Sequence, residues 1–101
     1  MAWYTIKMNN EYFQVFNSSK KVENYMLEEF ETKSIDGFLC DKKGDRKSFE
    51  EIFAENGYEF LPLKIISEKN GILENDISHV HIEDGQLVIT TKDYNQIKIQ
   101  N

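Results

Sequence analysis

The fold is decided by a stretch in the C-terminal quarter, residues 77–91, which reads ISHVHIEDGQLVITT. Apolar and polar residues alternate on both sides of Asp84-Gly85, and this period of two is typical of half-buried β-strands. An Asp-Gly pair between two such runs predicts a β-hairpin, because both central residues of a type I′ turn take positive φ angles. We therefore expect an antiparallel pair of strands joined at Asp84 and Gly85.

A two-residue loop also fixes the register of this hairpin, and hence the face on which each side chain lies. On the apolar face the predicted cross-strand pairs are Ile82 with Leu87 and Val80 with Ile89. On the opposite face they are His81 with Val88 and His79 with Thr90. Residues 96–100 extend the hairpin into a meander, and a left-handed Asn95 keeps Ile97 and Ile99 on the apolar face.

The N-terminal segment predicts a second hairpin, with strands over residues 3–8 and 11–16. Its turn is Asn9-Asn10, since asparagine tolerates left-handed backbone conformations. A two-residue loop places on the core face the pairs Ile6 with Phe13 and Tyr4 with Val15. The opposite face then carries Trp3, Tyr12 and Phe16. Either a helix covers these three aromatic residues, or they are exposed and anchor an interface with another protein.

Two helices are predicted from their capping residues. Ser18 or Ser19 caps a helix that runs to about Phe30 or Thr32, with apolar residues on one stripe. The second helix follows Ser48, which forms a capping box with Glu51, and ends near Gly57.

The remaining segments are predicted as short strands over residues 35–40 and 60–67, the second at a sheet edge because it contains Pro62. Between this strand and the meander, Ile72 and Leu73 are expected to anchor a polar connection. The order is β-β-α-β-α-β followed by the meander. This predicts a small α+β fold, an antiparallel or mixed sheet with two short helices, in one domain over residues 1–101.

Composition excludes several classes of protein. A hydrophobic fraction of 40% with 13% aromatic residues argues against disorder. No apolar run exceeds four residues, so we expect no membrane span and no secretory signal. Cys40 is the one cysteine, which fits a reducing, cytoplasmic location. The net charge of −6 favours partners with basic surfaces over nucleic acid or anionic membranes.

Two acidic helices are the leading candidate for a binding surface. Glu28 and Glu31 face away from the apolar stripe of the first helix, as do Glu51 and Glu55 on the second. Like charges at such spacings each cost about 0.2–0.5 kcal/mol. We therefore interpret these glutamates, with the aromatic face above, as a protein-binding surface. The alternative is an ordinary solvated face.

Two further groups of residues are candidates for binding a metal ion or an anion. His79 and His81 stand at positions i and i+2 of a strand, so both imidazoles project from one face and could share a metal ion. The loop residues Lys42, Lys43, Arg46 and Lys47 precede a helix N-terminus and could hold a phosphate or nucleic acid. The alternatives are a polar outer face of the sheet and a solvated turn. No pattern indicates a catalytic residue, a resident metal or a cofactor.

These observations predict a binding module and not an enzyme. A compact, acidic chain with a lone cysteine and no catalytic motif resembles, as a type, toxin-immunity proteins and phage-encoded inhibitors of host defence nucleases, including anti-CRISPR proteins. The implied activity is stoichiometric inhibition of a basic or nucleic-acid-handling partner, such as a nuclease or toxin, by surface complementarity. The alternatives are a metal-dependent regulatory protein that uses His79 and His81, and a homodimeric structural domain.

Overall fold

The computed structural model describes residues 2–99 and has an α+β fold, as predicted. Its helices are α1 (Ser19–Glu29), α2 (Phe49–Glu55) and α3 (Leu63–Lys69), and a 3₁₀ turn covers Glu74–Asp76. Its strands are β1 (Tyr4–Met8), β2 (Glu11–Phe16), β3 (Lys33–Ile35), β4 (Phe38–Cys40), β5 (Glu59–Pro62), β6 (Ile77–Glu83), β7 (Gln86–Thr91) and β8 (Gln96–Ile99). Within the described residues, the strands form three antiparallel sheets in the orders β2-β1-β5, β3-β4 and β6-β7-β8.

The β2-β1-β5 sheet is covered on both faces and separates two hydrophobic cores. One core joins this sheet to α1 and α2 through Ile6, Phe16, Val22, Met26, Ile52, Phe53 and Phe60. The other joins it to α3 and the meander through Tyr12, Leu63, Ile66, Ile72, Ile77, Val80, Leu87, Ile89 and Ile99. In the central strand, Thr5 and Ile6 are both 0% exposed although they point to opposite faces.

A β-bulge in β2 overturns the predicted register of the N-terminal hairpin. Asn9 and Asn10 form the expected two-residue turn, with φ angles of 53° and 64°. Beyond the turn the register shifts, and Phe13 becomes the extra residue. The pairs predicted for Phe13 with Ile6 and for Val15 with Tyr4 are therefore wrong. The observed partners are Ile6 with Gln14, Thr5 with Val15 and Tyr4 with Phe16.

The bulge exchanges the faces of the residues that follow it, which turns Phe16 into the core shared with α1. Tyr12 is 6% exposed in the core shared with the meander, and Phe16 is 5% exposed in the core shared with α1. Phe13 is 46% exposed. The Tyr12 backbone N–H donates to the Gly85 carbonyl across 2.9 Å, which ties the bulge to the turn of the β6-β7 hairpin.

The meander confirms the prediction made from residues 77–91. Asp84 and Gly85 have φ angles of 51° and 77°, and all four predicted cross-strand pairs are present. Ile97 and Ile99 pair with Ile89 and Leu87 and pack on the apolar core. In the last loop, Tyr94 and not Asn95 takes the left-handed conformation. The prediction for residue 100 lies outside the described residues.

Both predicted helix starts are also confirmed. The Ser18 hydroxyl accepts a hydrogen bond from the Lys21 N–H at the start of α1. At the start of α2, Ser48 and Glu51 form the complete capping box. These caps satisfy amides of the first helical turn, which have no partner within the helix.

Three other predictions are wrong. The strand over residues 35–40 is a hairpin, because Asp36 and Gly37 take positive φ angles and reverse the chain. The strand over residues 60–67 ends at Pro62, which does lie in an edge strand, and the chain continues as α3. Ile72 is anchored, but Leu73 is 65% exposed.

The helices are short. Within residues 2–99, none has the length and apolar character needed to cross a lipid bilayer.

Substitution of the two adjacent aromatic residues tests the bulge. We expect Tyr12→Ala to lower the free energy of unfolding by about 3 kcal/mol, because it empties a core position. Phe13→Ala, at a half-exposed position, should cost about 1 kcal/mol or less. Urea denaturation of both variants measures the difference. A register without the bulge pairs Phe13 with the buried Ile6, so a cost of Phe13→Ala as large as that of Tyr12→Ala would contradict the bulge.

Candidate functional site

Two of the four predicted binding glutamates already serve the fold. The Glu51 carboxylate accepts hydrogen bonds from the Ser48 N–H at 3.2 Å and the Ser48 hydroxyl at 3.0 Å. These bonds hold the pKa of Glu51 below its usual value, the backbone N–H contributing most. Glu55 forms an ion pair with Lys47. Both carboxylates therefore have partners within the chain.

The basic loop is organised around Asp41. One oxygen of its carboxylate accepts the backbone N–H groups of Lys43 and Asp45, both at 2.9 Å. The other lies 3.1 Å from Lys47 Nζ, so Lys47 bridges Asp41 and Glu55. The Asp45 N–H lowers the pKa of Asp41 most, and Lys47 and the Lys43 N–H add to the effect. The charge of Lys47 is consequently paired with carboxylates of the same chain.

The other loop cations differ in their surroundings. The Arg46 guanidinium lies 3.7 Å from the centroid of the Phe38 ring, a cation–π contact. Lys42 and Lys43 are exposed. Of the four predicted anion-binding residues, the loop thus leaves two lysines facing solvent.

The C-terminal end of α1 carries carboxylates that have no partner among the described residues. Glu28, Glu29 and Glu31 are exposed, and among the described residues none of their carboxylates has a hydrogen bond or ion pair. The last turn of α1 contains no basic residue. Since the C-terminus of a helix carries a partial negative charge, each carboxylate there is disfavoured by about 0.3–1 kcal/mol.

An aromatic strip leads from the bulge to this acidic end. We define it as Phe13, Tyr58 and Phe30, whose successive ring centroids are 5.5 and 5.9 Å apart. Phe13 is the most exposed member, and Tyr58 and Phe30 are half-buried. Burial, with the neighbouring Tyr58 and Glu29, raises the pKa of the Tyr25 phenol, whose ring packs on Phe30, to about 12.

A cleft of about 570 Å³ opens beside the strip. The end of α1 contributes Glu29, Phe30 and Glu31 to its wall. The cleft is also lined by Asp41, Lys42, Lys43 and Lys47 from the loop, and by Ile52, Glu55 and Asn56 at the end of α2. Aromatic, acidic and basic groups therefore meet at one concave surface.

The three aromatic residues predicted for the binding surface lie elsewhere. Tyr12 and Phe16 are core residues on opposite faces of the sheet, and Trp3 is half-buried against His79, with ring centroids 6.2 Å apart. The face that carries Trp3 and Tyr12 is covered by the meander and α3 and not by a helix alone. Phe13 and Tyr58 were not predicted, because alternation along the strand gives no signal for a bulge.

His79 and His81 lie on one face of β6, as predicted, with ring centroids 5.9 Å apart and planes inclined by 22°. Among the described residues, no group of three or more His, Cys, Asp or Glu side chains is placed to hold a metal ion. Cys40 is buried.

No protein-family model, curated protein or solved structure matches this chain. The functional assignment therefore depends on the chemistry of the surface.

A pH titration tests the role of Asp41. Because its pKa is lowered in the folded state, its stabilising effect should be present above its unfolded pKa of about 3.9. We expect the effect to disappear as the pH falls through the lower native value. Amide chemical shifts of Lys43 and Asp45, followed by NMR, should move with a midpoint below 3.8. Asp41→Asn should abolish this transition, and a midpoint above 3.8 would contradict the proposed geometry.

Proposed function

We propose that this protein is a non-catalytic binding module that inhibits a basic partner protein by covering its surface. The observation that carries the proposal is the aromatic strip, Phe13, Tyr58 and Phe30, beside the unpaired glutamates Glu29 and Glu31. Protein interfaces commonly combine an aromatic centre with a polar rim. Here both components lie at one end of α1.

The energetics of the glutamates support a binding role. Three unpaired carboxylates at the negative end of a helix oppose its stability. A partner that supplies Lys or Arg side chains would remove this repulsion on binding. Charge complementarity of this kind accelerates association and selects the partner.

The bulge supports the role of Phe13. Bulges re-aim side chains and are frequent beside functional sites. At 46% exposure, Phe13 keeps an apolar ring in water at the start of the aromatic strip. Burying such an aromatic ring against a partner contributes more to the binding free energy than exposed charges at the rim of an interface do.

The chemistry of the partner follows from these charges. A surface that binds nucleic acid carries Lys and Arg residues that neutralise phosphates. Carboxylates grouped on a rigid helix end compete for the same cations. We therefore assign the partner to nucleic-acid-handling proteins, such as a nuclease or a toxin, and the protein to the general type of immunity proteins and phage-encoded anti-defence inhibitors.

Capture from a bacterial lysate with matched variants tests this proposal. We expect the wild-type protein to retain a basic protein at a fixed ratio, more strongly at low than at moderate salt. Glu29→Lys/Glu31→Lys should reduce retention at least tenfold through charge repulsion. Phe13→Ala should reduce it about thirtyfold, as expected for the loss of about 2 kcal/mol at an interface centre.

The control is Glu68→Lys/Glu74→Lys, which makes the same change in net charge on α3 and the 3₁₀ turn. This variant should retain the partner as the wild type does. The proposal is contradicted if all variants retain the protein equally, or if no basic protein is retained at either salt concentration.

A further inference from the structure

We propose that His79 and His81 bind one divalent transition metal ion of the Cu²⁺, Ni²⁺ and Zn²⁺ class on the outer face of the meander. This site is independent of the protein-binding surface, because it lies on β6 and shares no residue with the aromatic strip or the α1 end.

The backbone places the two imidazoles together. His79 and His81 are alternate residues of β6, an edge strand of the meander, so both side chains leave the same face. Their ring centroids are 5.9 Å apart and the planes are nearly parallel. His79 is exposed and His81 half-buried, so an ion from solvent reaches both. Their cross-strand neighbours, Thr90 and Val88, carry no charge.

A carboxylate holds the second imidazole in place. His81 Nε2 lies 2.9 Å from Glu83 Oε1. In the tautomer that carries its proton on Nε2, the Nε2–H donates a hydrogen bond to this carboxylate, and the lone pair of Nδ1 is free to coordinate a metal. Metal-ligating histidines in proteins are regularly oriented and made more basic by such a carboxylate. Lys98 Nζ lies 3.9 Å from the other Glu83 oxygen.

The donor set determines which ions bind. Imidazole nitrogens favour Cu²⁺, Ni²⁺ and Zn²⁺, whereas Ca²⁺ and Mg²⁺ require oxygen ligands. Since no group of three potential ligands occurs in residues 2–99, water must complete the coordination. Such a site is open and exchangeable, and Cu²⁺ should bind more tightly than Ni²⁺ or Zn²⁺.

The fluorescence of Trp3 can report metal binding at this site. Trp3 is the one tryptophan of the sequence, and its ring meets His79 edge to face at 6.2 Å. A paramagnetic Cu²⁺ or Ni²⁺ ion on His79 would quench the fluorescence of Trp3 at this range. Zn²⁺, which does not quench in this way, would compete and restore it.

Titration of the tag-free chain with CuCl₂ and NiCl₂, by Trp3 fluorescence and calorimetry, tests the proposal. We expect saturation at one ion per chain, reversal by Zn²⁺ in excess, and no response to Mg²⁺. His79→Ala and His81→Ala should each weaken binding at least tenfold. Glu83→Gln should weaken it about tenfold through loss of the orienting carboxylate.

Thr90→Ala is the matched control on the same face and should bind as the wild type does. His79→Gln replaces His79→Ala if the latter fails to give the wild-type circular dichroism spectrum. The proposal is overturned if neither ion gives saturable binding in large excess over the protein. It is also overturned if both histidine variants bind as tightly as the wild type.

Discussion

Burial of β1 on both faces is the constraint on which the rest of the structure depends. Thr5 and Ile6 are completely buried although they point in opposite directions, so this strand is the wall between two cores. The Thr5 hydroxyl donates to the Gln14 carbonyl across 2.8 Å, which satisfies the one side-chain polar group that this position places inside. Each face of the sheet must therefore be covered. Two helices cover one face, and α3 with the meander covers the other.

The same constraint explains the exposed aromatic residue. Strict alternation in β2 would direct Tyr12 and Phe16 to one face and Phe13 to the other. With the bulge, Tyr12 faces the meander core and Phe16 faces the helical core. Phe13 belongs to neither core and is half-exposed. The candidate binding surface thus begins at Phe13, between one residue of β2 that packs in the meander core and one that packs in the helical core. Its second half, the end of α1, is acidic because no basic residue there compensates the carboxylates.

The sequence was informative where local chemistry decides the structure. Asp84-Gly85, Ser18 and the Ser48 capping box each act over a few residues, and all three were predicted correctly. Asp36-Gly37 carries the same turn signal, but the flanking runs are only three residues long and the hairpin was missed. At the candidate site, Glu28 and Glu31 are exposed as expected. The partner of Glu55 was not foreseen, because Lys47 reaches it only through a loop folded around Asp41.

The central claim is that the bulge turns Phe16 into the helical core and leaves Phe13 exposed beside Tyr58. Nuclear Overhauser effects in solution test it most directly, because they report which protons lie within about 5 Å. The structure predicts cross-peaks between the rings of Phe13 and Tyr58, and between the rings of Phe16 and Tyr25 on the helical side. Cross-peaks from Phe16 to the core shared with the meander, with none to Tyr25, would contradict the account.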